Sequence, residues 1–363
     1  MKAGIVGLPN VGKSTLFNCL SNAKAQSANF PFCTIEPNIG IINVPDSRLE
    51  KLEQLVNPEK VIPATVEILD IAGLVKGASK GEGLGNQFLA NIRETDAIIH
   101  VIRCFDDDNI VHVEGSVDPV RDKEIIDIEL QLKDLETAEK KHEKLNRLVK
   151  TGNKEAVKES VVLNKIIDHL RGFNPVRSLN FLDDEKKFAD SIQLITSKPI
   201  LYVCNVDESS VINGNKYVDH LKNSLNEKNA ELMILAIGTE ADINELESYE
   251  DRKAFLLDIG LSEPGSSKLI KKAYDLLNLQ TYFTAGVKEV RAWTIKKGMT
   301  APKAAGVIHS DFEKGFIRAE VISYQNYIHY GNESKVREAG KLNVEGKDYV
   351  LMDGDIMHFR FNV

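Results

Sequence analysis

Residues 7–14 have the types and spacing that bind nucleotide phosphates. They read Gly-Leu-Pro-Asn-Val-Gly-Lys-Ser, fit the pattern G-x-x-x-x-G-K-S/T, and lie between a strand pattern and a helical one. Such a loop points its backbone amides at phosphate oxygens, and the following helix adds partial positive charge. Lys13 is expected to reach the β- and γ-phosphates and Ser14 to ligate Mg²⁺. The predicted nucleotide contacts in this loop are Gly7, Asn10, Val11, Gly12, Lys13, Ser14 and Thr15.

Asp70 is the expected carboxylate on the metal side of the site. It lies near the end of a predicted strand, 66–71, and opens the run Asp-Ile-Ala-Gly that ends at Gly73. We expect Asp70 to hold Mg²⁺ through a water molecule and the Gly73 amide to contact the γ-phosphate. A structural nucleotide site has no need of both magnesium-side groups, so the presence of Ser14 and Asp70 favours hydrolysis.

Short apolar runs rich in β-branched residues predict the elements that position these groups. The runs alternate with helical patterns, which is typical of an α/β fold with a mostly parallel sheet. The phosphate loop and Asp70 are then expected at the end of the sheet where the carboxyl ends of its parallel strands lie. The predicted strands are Lys2–Val6, 66–71, Ala97–Arg103, 199–204 and 231–237.

The region 126–197 interrupts this alternation with helical periodicity. Apolar residues three or four positions apart predict a long helix, a turn at 151–153 and a returning helix, which together form an antiparallel hairpin or coiled coil. From Lys133 to Lys158 there are eight basic and five acidic residues, which we interpret as a solvated helix surface, with a binding face as the alternative. The residues that define the two stripes are Ile128, Leu132, Leu135, Ala138, His142, Leu145 and Val149, then Val157, Val161, Asn164, Ile166, Ile167 and Leu170.

The C-terminal residues predict a small α+β module with a mixed or antiparallel sheet. Its predicted helix covers Ala301–Ile308, and Asp353-Gly354 is typical of a tight turn. The resulting domain prediction places the nucleotide-binding domain at 1–125 and 198–276, the helical insert at 126–197 and the C-terminal module at 277–363. The predicted strands of the module are 280–283, 290–294, 316–323, 349–352 and Ile356–Phe361.

Composition limits the class of protein. The 363 residues carry a net charge of −8, which argues against a protein that coats nucleic acid by general electrostatics. No apolar run reaches the roughly 20 residues that a membrane span needs. The four cysteines form no CxxC pair, so we expect reduced thiols, neither zinc nor disulfides, and a cytoplasmic location.

Three segments together resemble the Obg group, the translation-factor class of P-loop GTPases. They are Gly-Leu-Pro-Asn-Val-Gly-Lys-Ser-Thr at 7–15, Asn-Phe-Pro-Phe-Cys-Thr-Ile-Glu-Pro-Asn at 29–38, and the glycine-rich run that begins at Asp70. The resemblance implies a Ras-like G domain. It also implies that Thr34 ligates Mg²⁺ when a triphosphate is bound.

The base-reading motif departs from that of a GTPase. GTPases of this class read guanine with Asn-Lys-x-Asp, whereas this chain has Asn-Val-Asp-Glu, with Asn205, Val206 and Glu208 at the reading positions. Val206 lacks the lysine stem that packs over the base, and Glu208 is one methylene longer than aspartate, so guanine selectivity is impaired. Asn205 remains able to contact the base and position the loop.

This substitution marks the Obg-like ATPase (YchF) subfamily, which the chain resembles from end to end. The resemblance implies a preference for ATP over GTP and binding to the ribosome. It further implies a C-terminal TGS domain of β-grasp shape, on the evidence of residues 297–309 and 353–361. The helical insert and the TGS domain are then the expected contacts with ribosome and RNA, with no membrane partner.

The residue that orients the attacking water is not the usual one. Ras-like enzymes place a glutamine directly after the DxxG glycine, and here Leu74 replaces it. Three alternatives stay open: a potassium ion held by Asn10, as in related enzymes; His112, to which the family resemblance points as a catalytic residue; and a group supplied by a partner.

Three functions are compatible with these motifs. The resemblance favours an ATPase that switches the segments around Thr34 and 73–85 with its nucleotide state, and so acts on the ribosome in translation or stress regulation. The second is a GTPase of the same fold with relaxed base selection. The third is an RNA- or ribosome-binding module whose nucleotide site is structural.

Overall fold

The computed structural model describes residues 1–22, 35–36, 39–71, 84–225 and 230–362. The chain divides into two compact units, the first built mainly from 1–22 and 67–266 and the second from 41–66 and 267–362. Within the described residues, no helix combines the length and apolar character needed to cross a membrane. The helical insert lies in the first unit, and the division into three domains at 125, 197 and 276 stays a prediction.

The first unit contains a seven-stranded sheet with the order β2-β3-β5-β1-β6-β7-β8. The five strands from β5 to β8 are parallel, and β2 pairs with β3 in the antiparallel sense. Every residue of β6 and β7 is buried, as expected for central strands covered on both faces. The strands are β1 (Lys2–Val6), β2 (Ile35–Glu36), β3 (Ile39–Asn43), β5 (Thr65–Asp70), β6 (Ala97–Arg103), β7 (Ile200–Asn205) and β8 (Glu231–Leu235), with β4 (Val61–Ile62) in the second sheet.

The parallel-sheet prediction is confirmed, with two differences at the strand level. The strand predicted at 231–237 ends at Leu235, because Ile237 begins a helix and its amide donates to the Asn205 side chain. The strands β2, β3 and β4 were not predicted; β2 and β4 have only two residues each, too few to show a period.

Helices of the first unit cover the sheet and form the insert. A phosphate-loop helix, α1 (Lys13–Asn22), follows β1 directly. The long helix begins at Pro119, where Asp118 caps the amides of Val120 and Arg121, and is therefore longer than predicted. The other helices of this unit are α3 (Leu84–Arg93), α4 (Pro119–Lys150), α5 (Lys154–Arg171), α6 (Asp183–Ile192), α7 (Lys216–Ser224), α8 (Ile237–Glu245), α9 (Tyr249–Asp258) and the start of α10 (Gly265–Leu276); α2 (Ser47–Val56) belongs to the second unit.

The predicted helical hairpin is present, but some of the residues that were predicted to lie on its buried faces are exposed. Ala138 and Leu145 are buried in the core that α4, α5 and α6 share, whereas Ile128, Val157 and Val161 are exposed. Around Ile128 the buried side of α4 is largely polar, and in α5 the adjacent Val162 and Leu163 are buried instead. The spacing of apolar residues does not identify a helix face whose buried side chains carry carboxylates and amides.

The second unit contains a six-stranded mixed sheet with the order β12-β11-β13-β9-β10-β4. Strands β9 and β10, β11 and β13, and β11 and β12 are antiparallel, while β13 and β9 are parallel, which agrees with the predicted module. Its elements are β9 (Leu279–Ala285), β10 (Val290–Lys296), α11 (Ala301–Ile308), α12 (Ser310–Lys314), β11 (Phe316–Ile322), α13 (Tyr324–Tyr330), α14 (Glu333–Glu338), β12 (Asn343–Glu345) and β13 (Ile356–Phe361).

The strand predicted at 349–352 was wrong. Only one isolated bridge forms there, between Val350 and Thr300. The Tyr349 carbonyl accepts from the Ala301 amide, and the Leu351 amide donates to Met299, so this segment bonds to the turn before α11. The predicted turn at Asp353-Gly354 is present, with Gly354 at φ 89°.

Candidate functional site

The phosphate loop follows β1 in the middle of the parallel sheet, and glycine is required at two of its positions. A Cβ atom on Gly7 would lie 2.5 Å from the Val101 carbonyl oxygen. Gly12 has a φ of 102°, and a Cβ there would lie 2.7 Å from Nδ2 of Asn205. Asn10 also has a positive φ, 62°. The loop is therefore packed tightly against β6 and the end of β7.

Lys13 is buried within this loop. Its side chain is only 7% exposed, and Nζ donates a 2.7 Å hydrogen bond to the Leu8 carbonyl oxygen. Burial lowers the pKa of Lys13 to about 8, while the charge of Asp70 acts in the opposite direction. A partly desolvated ammonium held by a neutral carbonyl is well suited to exchange that partner for a phosphate oxygen.

Asp70 ends β5, the strand next to β1, and lies beside the loop. Its Oδ1 atom is buried with no hydrogen-bond partner among the described residues. Burial raises the pKa of Asp70, and Lys13 and the Ser14 hydroxyl lower it. A buried, unpaired carboxylate oxygen next to an exposed hydroxyl is a donor set that fits Mg²⁺, so the residues present suit the ion.

Asn205 links the phosphate loop to the next loop of the sheet. Its Nδ2 donates to the Val11 carbonyl oxygen at 3.0 Å, and its Oδ1 accepts from the Ile237 amide at 3.0 Å. Both ends of this buried side chain are therefore engaged by the protein, which supports its role in positioning the loop. Val206 is buried, and Glu208 opens a short 3₁₀ turn at Glu208–Ser210 with its side chain exposed.

A cavity of about 510 Å³ lies beyond the carboxyl ends of β6 and β7. Its wall includes an aromatic ring at Phe105 and the loop that follows Val206. Asn215 fixes this wall by donating to the Cys104 carbonyl oxygen at 2.8 Å, and Tyr217 donates to Asp106 at 2.7 Å. The cavity is lined by Phe105, Asp106, Asp207, Ser210, Asn215, Lys216 and Tyr217.

The sequence pattern alone does not identify these lining residues. The one available signal was their position directly after two buried strands, since ligands of open α/β sheets bind outside the carboxyl ends of the strands. The residues come together only because β6 and β7 are neighbours in the sheet, although more than a hundred residues separate Phe105 from Tyr217.

His112 lies in the segment after β6, close to the phosphate loop but directed toward α4. The Asn10 side chain donates to the neighbouring Val111 carbonyl oxygen at 3.1 Å. The His112 ring itself contacts Asp122 in the first turn of α4, with 2.8 Å between Nε2 and Oδ2. The structure thus brings Asn10 and the segment of His112 together. The predictions for Thr34, Gly73 and Leu74 lie outside the described residues.

The buried lysine gives a prediction about pH. Bound phosphates favour the ammonium form, so nucleotide binding should take up a proton once the pH of the solution exceeds about 8, the pKa of Lys13 in the free protein. We expect nucleotide affinity to fall about tenfold between pH 7 and pH 9, with uptake of nearly one proton at pH 9. Calorimetric titrations in two buffers of different ionisation enthalpy measure this uptake, and an affinity that is constant over this range contradicts the assignment. The variant Lys13→Arg, which cannot lose its proton in this range, is the control.

A glycine-rich phosphate loop after the first strand of a parallel sheet, with a buried lysine and a carboxylate on the neighbouring strand, defines a P-loop NTPase. Comparison with known proteins agrees with this class. Residues 2–165 match a family model described as "50S ribosome-binding GTPase". Residues 279–362 match the model YchF-GTPase_C, described as a protein of unknown function.

Relatives match over the whole length. The chain is 53% identical to the ribosome-binding ATPase YchF of Bacillus subtilis, and the match covers 100% of both chains. It is 52% identical to the protein of the same name from Escherichia coli O157:H7, covering 100% of this chain and 99% of the relative. A solved structure of the Schizosaccharomyces pombe YchF GTPase superposes with a TM-score of 0.90 at 39% identity, covering 99% of this chain and 97% of the other. The chain belongs to the YchF family.

Proposed function

We propose that the protein is a Mg²⁺-dependent ATPase that binds the ribosome and uses its nucleotide state as a switch. The observation that carries the proposal is the pairing of a buried Lys13, at the start of α1, with the unpartnered oxygen of Asp70 at the end of β5, the strand next to β1. Both groups are expensive to bury without a ligand, and a magnesium–triphosphate complex satisfies both at once. The relatives named ribosome-binding ATPases support the choice of nucleotide and partner.

The chain's own residues have separable roles in this reaction. Lys13 binds the β- and γ-phosphates, and the loop amides from Val11 to Thr15 hold the remaining oxygens. Ser14 and, through water, Asp70 hold Mg²⁺, which supplies positive charge to the leaving phosphate oxygens when bound. Thr34 completes the metal side in the triphosphate state, and the Gly73 amide contacts the γ-phosphate.

The attacking water needs an orienting group, because Leu74 has no polar atom to supply one. We assign this role to His112, with a potassium ion on Asn10 as the additional positive charge near the γ-phosphate. The close approach of Asn10 to the His112 segment supports both assignments.

The base pocket supports ATP as the preferred nucleotide. Val206 is buried and lacks the long side chain of the lysine that packs over guanine in GTPases. Phe105 lines the neighbouring cavity, where its ring can stack on a base. A GTPase with relaxed selection is the second candidate, favoured by the name of the Schizosaccharomyces pombe relative.

Restoring the guanine-reading residues tests the pocket. In Val206→Lys/Glu208→Asp we expect the ratio of kcat/KM for ATP to that for GTP to fall about tenfold or more, since aspartate then accepts from the guanine edge. Steady-state phosphate release with each nucleotide measures the ratio. Glu250→Asp, an exposed change in α9, is the control and should leave the ratio unchanged. An unchanged ratio in the double variant would show that these two positions do not select the base.

The ribosome is the proposed partner, with the helical insert and the TGS domain as the contacting parts, and ribosomal RNA as their ligand. A ribosome-bound protein works in the cytoplasm, which agrees with the expected location. Co-sedimentation with ribosomes in the presence of ADP or of a non-hydrolysable ATP analogue tests the switch. We expect the bound fraction to differ between the two nucleotides, and equal binding would argue for a simple binding module.

A further inference from the structure

Both ring nitrogens of His112 are engaged by the protein. Nδ1 accepts a 3.1 Å hydrogen bond from the Glu114 backbone amide, so it carries no proton. Nε2 is then the protonated nitrogen and donates to Asp122 at 2.8 Å. The side chain is only 5% exposed. In this arrangement His112 has neither a free lone pair nor a free proton with which to orient a water molecule.

Asp122 is itself held firmly. Its side chain is buried, and its other oxygen, Oδ1, accepts from Nε and Nη2 of Arg121 at 3.1 and 2.9 Å. Arg121 in turn donates to the Ser116 hydroxyl and backbone. Since these contacts fix the carboxylate in the first turn of α4, the position of His112 depends on the position of that helix.

The same segment is tied to the nucleotide loop. Val111, next to His112, accepts from Asn10 of the phosphate loop. A chain of direct contacts therefore runs from the phosphate loop through Val111 and His112 to α4, the first helix of the insert.

The buried side of the first half of α4 mixes apolar and polar groups. Ile126 and Leu130 are buried there, and Lys123, which pairs with Asp127 of the same helix at 2.6 Å, lies 5.5 Å from the centre of the Tyr202 ring. Oε1 of Gln131 and Nδ1 of His100 are buried without a partner among the described residues. The far half of α4 instead packs in the apolar core of the insert. Each buried polar atom left without a partner costs free energy, so the first half of α4 lies against the sheet at some expense.

We propose that Asp122 is an autoinhibitory positioning residue that holds His112 away from the nucleotide, and that a shift of α4 releases it. The inference rests on the proposed ATPase function and adds the means by which the insert controls it. When α4 moves, the contact between Nε2 and Asp122 breaks, and the His112 ring becomes available to the attacking water. A ribosome that binds the insert thereby gains control of hydrolysis at the phosphate loop.

The test is the steady-state rate of the full-length variant Asp122→Asn. The isosteric amide keeps the shape of the site but loses the charge that holds the imidazole. We expect kcat for ATP without ribosomes to rise about tenfold with KM unchanged. The increase should vanish when His112→Ala is added, because the released group is then missing. Glu124→Gln is the matched control: it removes one exposed acidic charge from the same part of α4, keeps the contact between His112 and Asp122, and should leave kcat unchanged.

An unchanged or lower kcat in Asp122→Asn overturns the proposal, as does a rise that persists with His112→Ala or is matched by Glu124→Gln. Failure of the ATPase proposal looks different: wild type and Lys13→Ala would then show the same negligible turnover. A measurement on the wild type is independent of variant folding. Diethyl pyrocarbonate should modify His112 much more slowly than His309, whose side chain is 62% exposed, and equal rates overturn the proposal.

Discussion

Replacing Lys13 by alanine is expected to lower kcat/KM for ATP hydrolysis by a factor of about 10³. In the proposed reaction the ammonium balances charge on the β- and γ-phosphates, and removing a single preorganised donor from such a site costs about 10²–10³-fold. The change should not unfold the protein, because burial lowers the pKa of Lys13 and the fold therefore holds this charge at some expense.

Multiple-turnover phosphate release at saturating Mg²⁺ measures this effect. Lys51→Ala, which removes an exposed lysine of α2, is the control and should leave the rate unchanged. Wild-type turnover that is retained in Lys13→Ala would mean that the phosphate loop is only a structural nucleotide site.

Replacing Asp134 by alanine is expected to give the largest loss of stability, about 3–5 kcal/mol. This carboxylate is fully buried in α4 and accepts from the Ile195 amide at 2.8 Å, the Thr196 amide at 2.6 Å and the Thr196 hydroxyl at 2.7 Å. Alanine leaves three buried donors without an acceptor.

Urea unfolding monitored by hydrogen exchange at Ile195 and Thr196 measures that loss. The control is Glu136→Ala on the same helix, where an exposed ion pair with Lys133 and Lys140 is removed and less than about 1 kcal/mol should be lost. If the free energy of unfolding falls by less than about 1 kcal/mol in Asp134→Ala, this carboxylate does not hold residues 195–196 against α4.

The parts of the site that depend on local sequence were predictable. The phosphate loop is one continuous motif, and its context of strand and helix is present as expected. Asp70 was found because it ends an apolar strand, and the sheet places that strand next to β1. The parallel sheet itself follows from short β-branched runs that alternate with helices.

Contacts between distant residues were not predictable. Nothing in the spacing of His112 and Asp122 distinguishes a buried pair from two surface residues. Asn205 was expected to contact the base and position the loop, but the partners of its side chain, Val11 and Ile237, come together only through the sheet order. The helices at Tyr324–Tyr330 and Glu333–Glu338 were missed because they are short and contain few apolar residues.

A nucleotide competition with the wild-type protein tests the proposed ATPase most directly. Affinity and steady-state hydrolysis are measured for ATP and GTP with Mg²⁺, with potassium exchanged for sodium and with Mg²⁺ removed by a chelator. We expect a clear ATP preference, loss of turnover without Mg²⁺, and faster turnover in potassium through Asn10. Equal use of both nucleotides, or a preference for GTP, would contradict the assignment of the base pocket, and turnover that survives removal of Mg²⁺ would contradict the roles of Ser14 and Asp70.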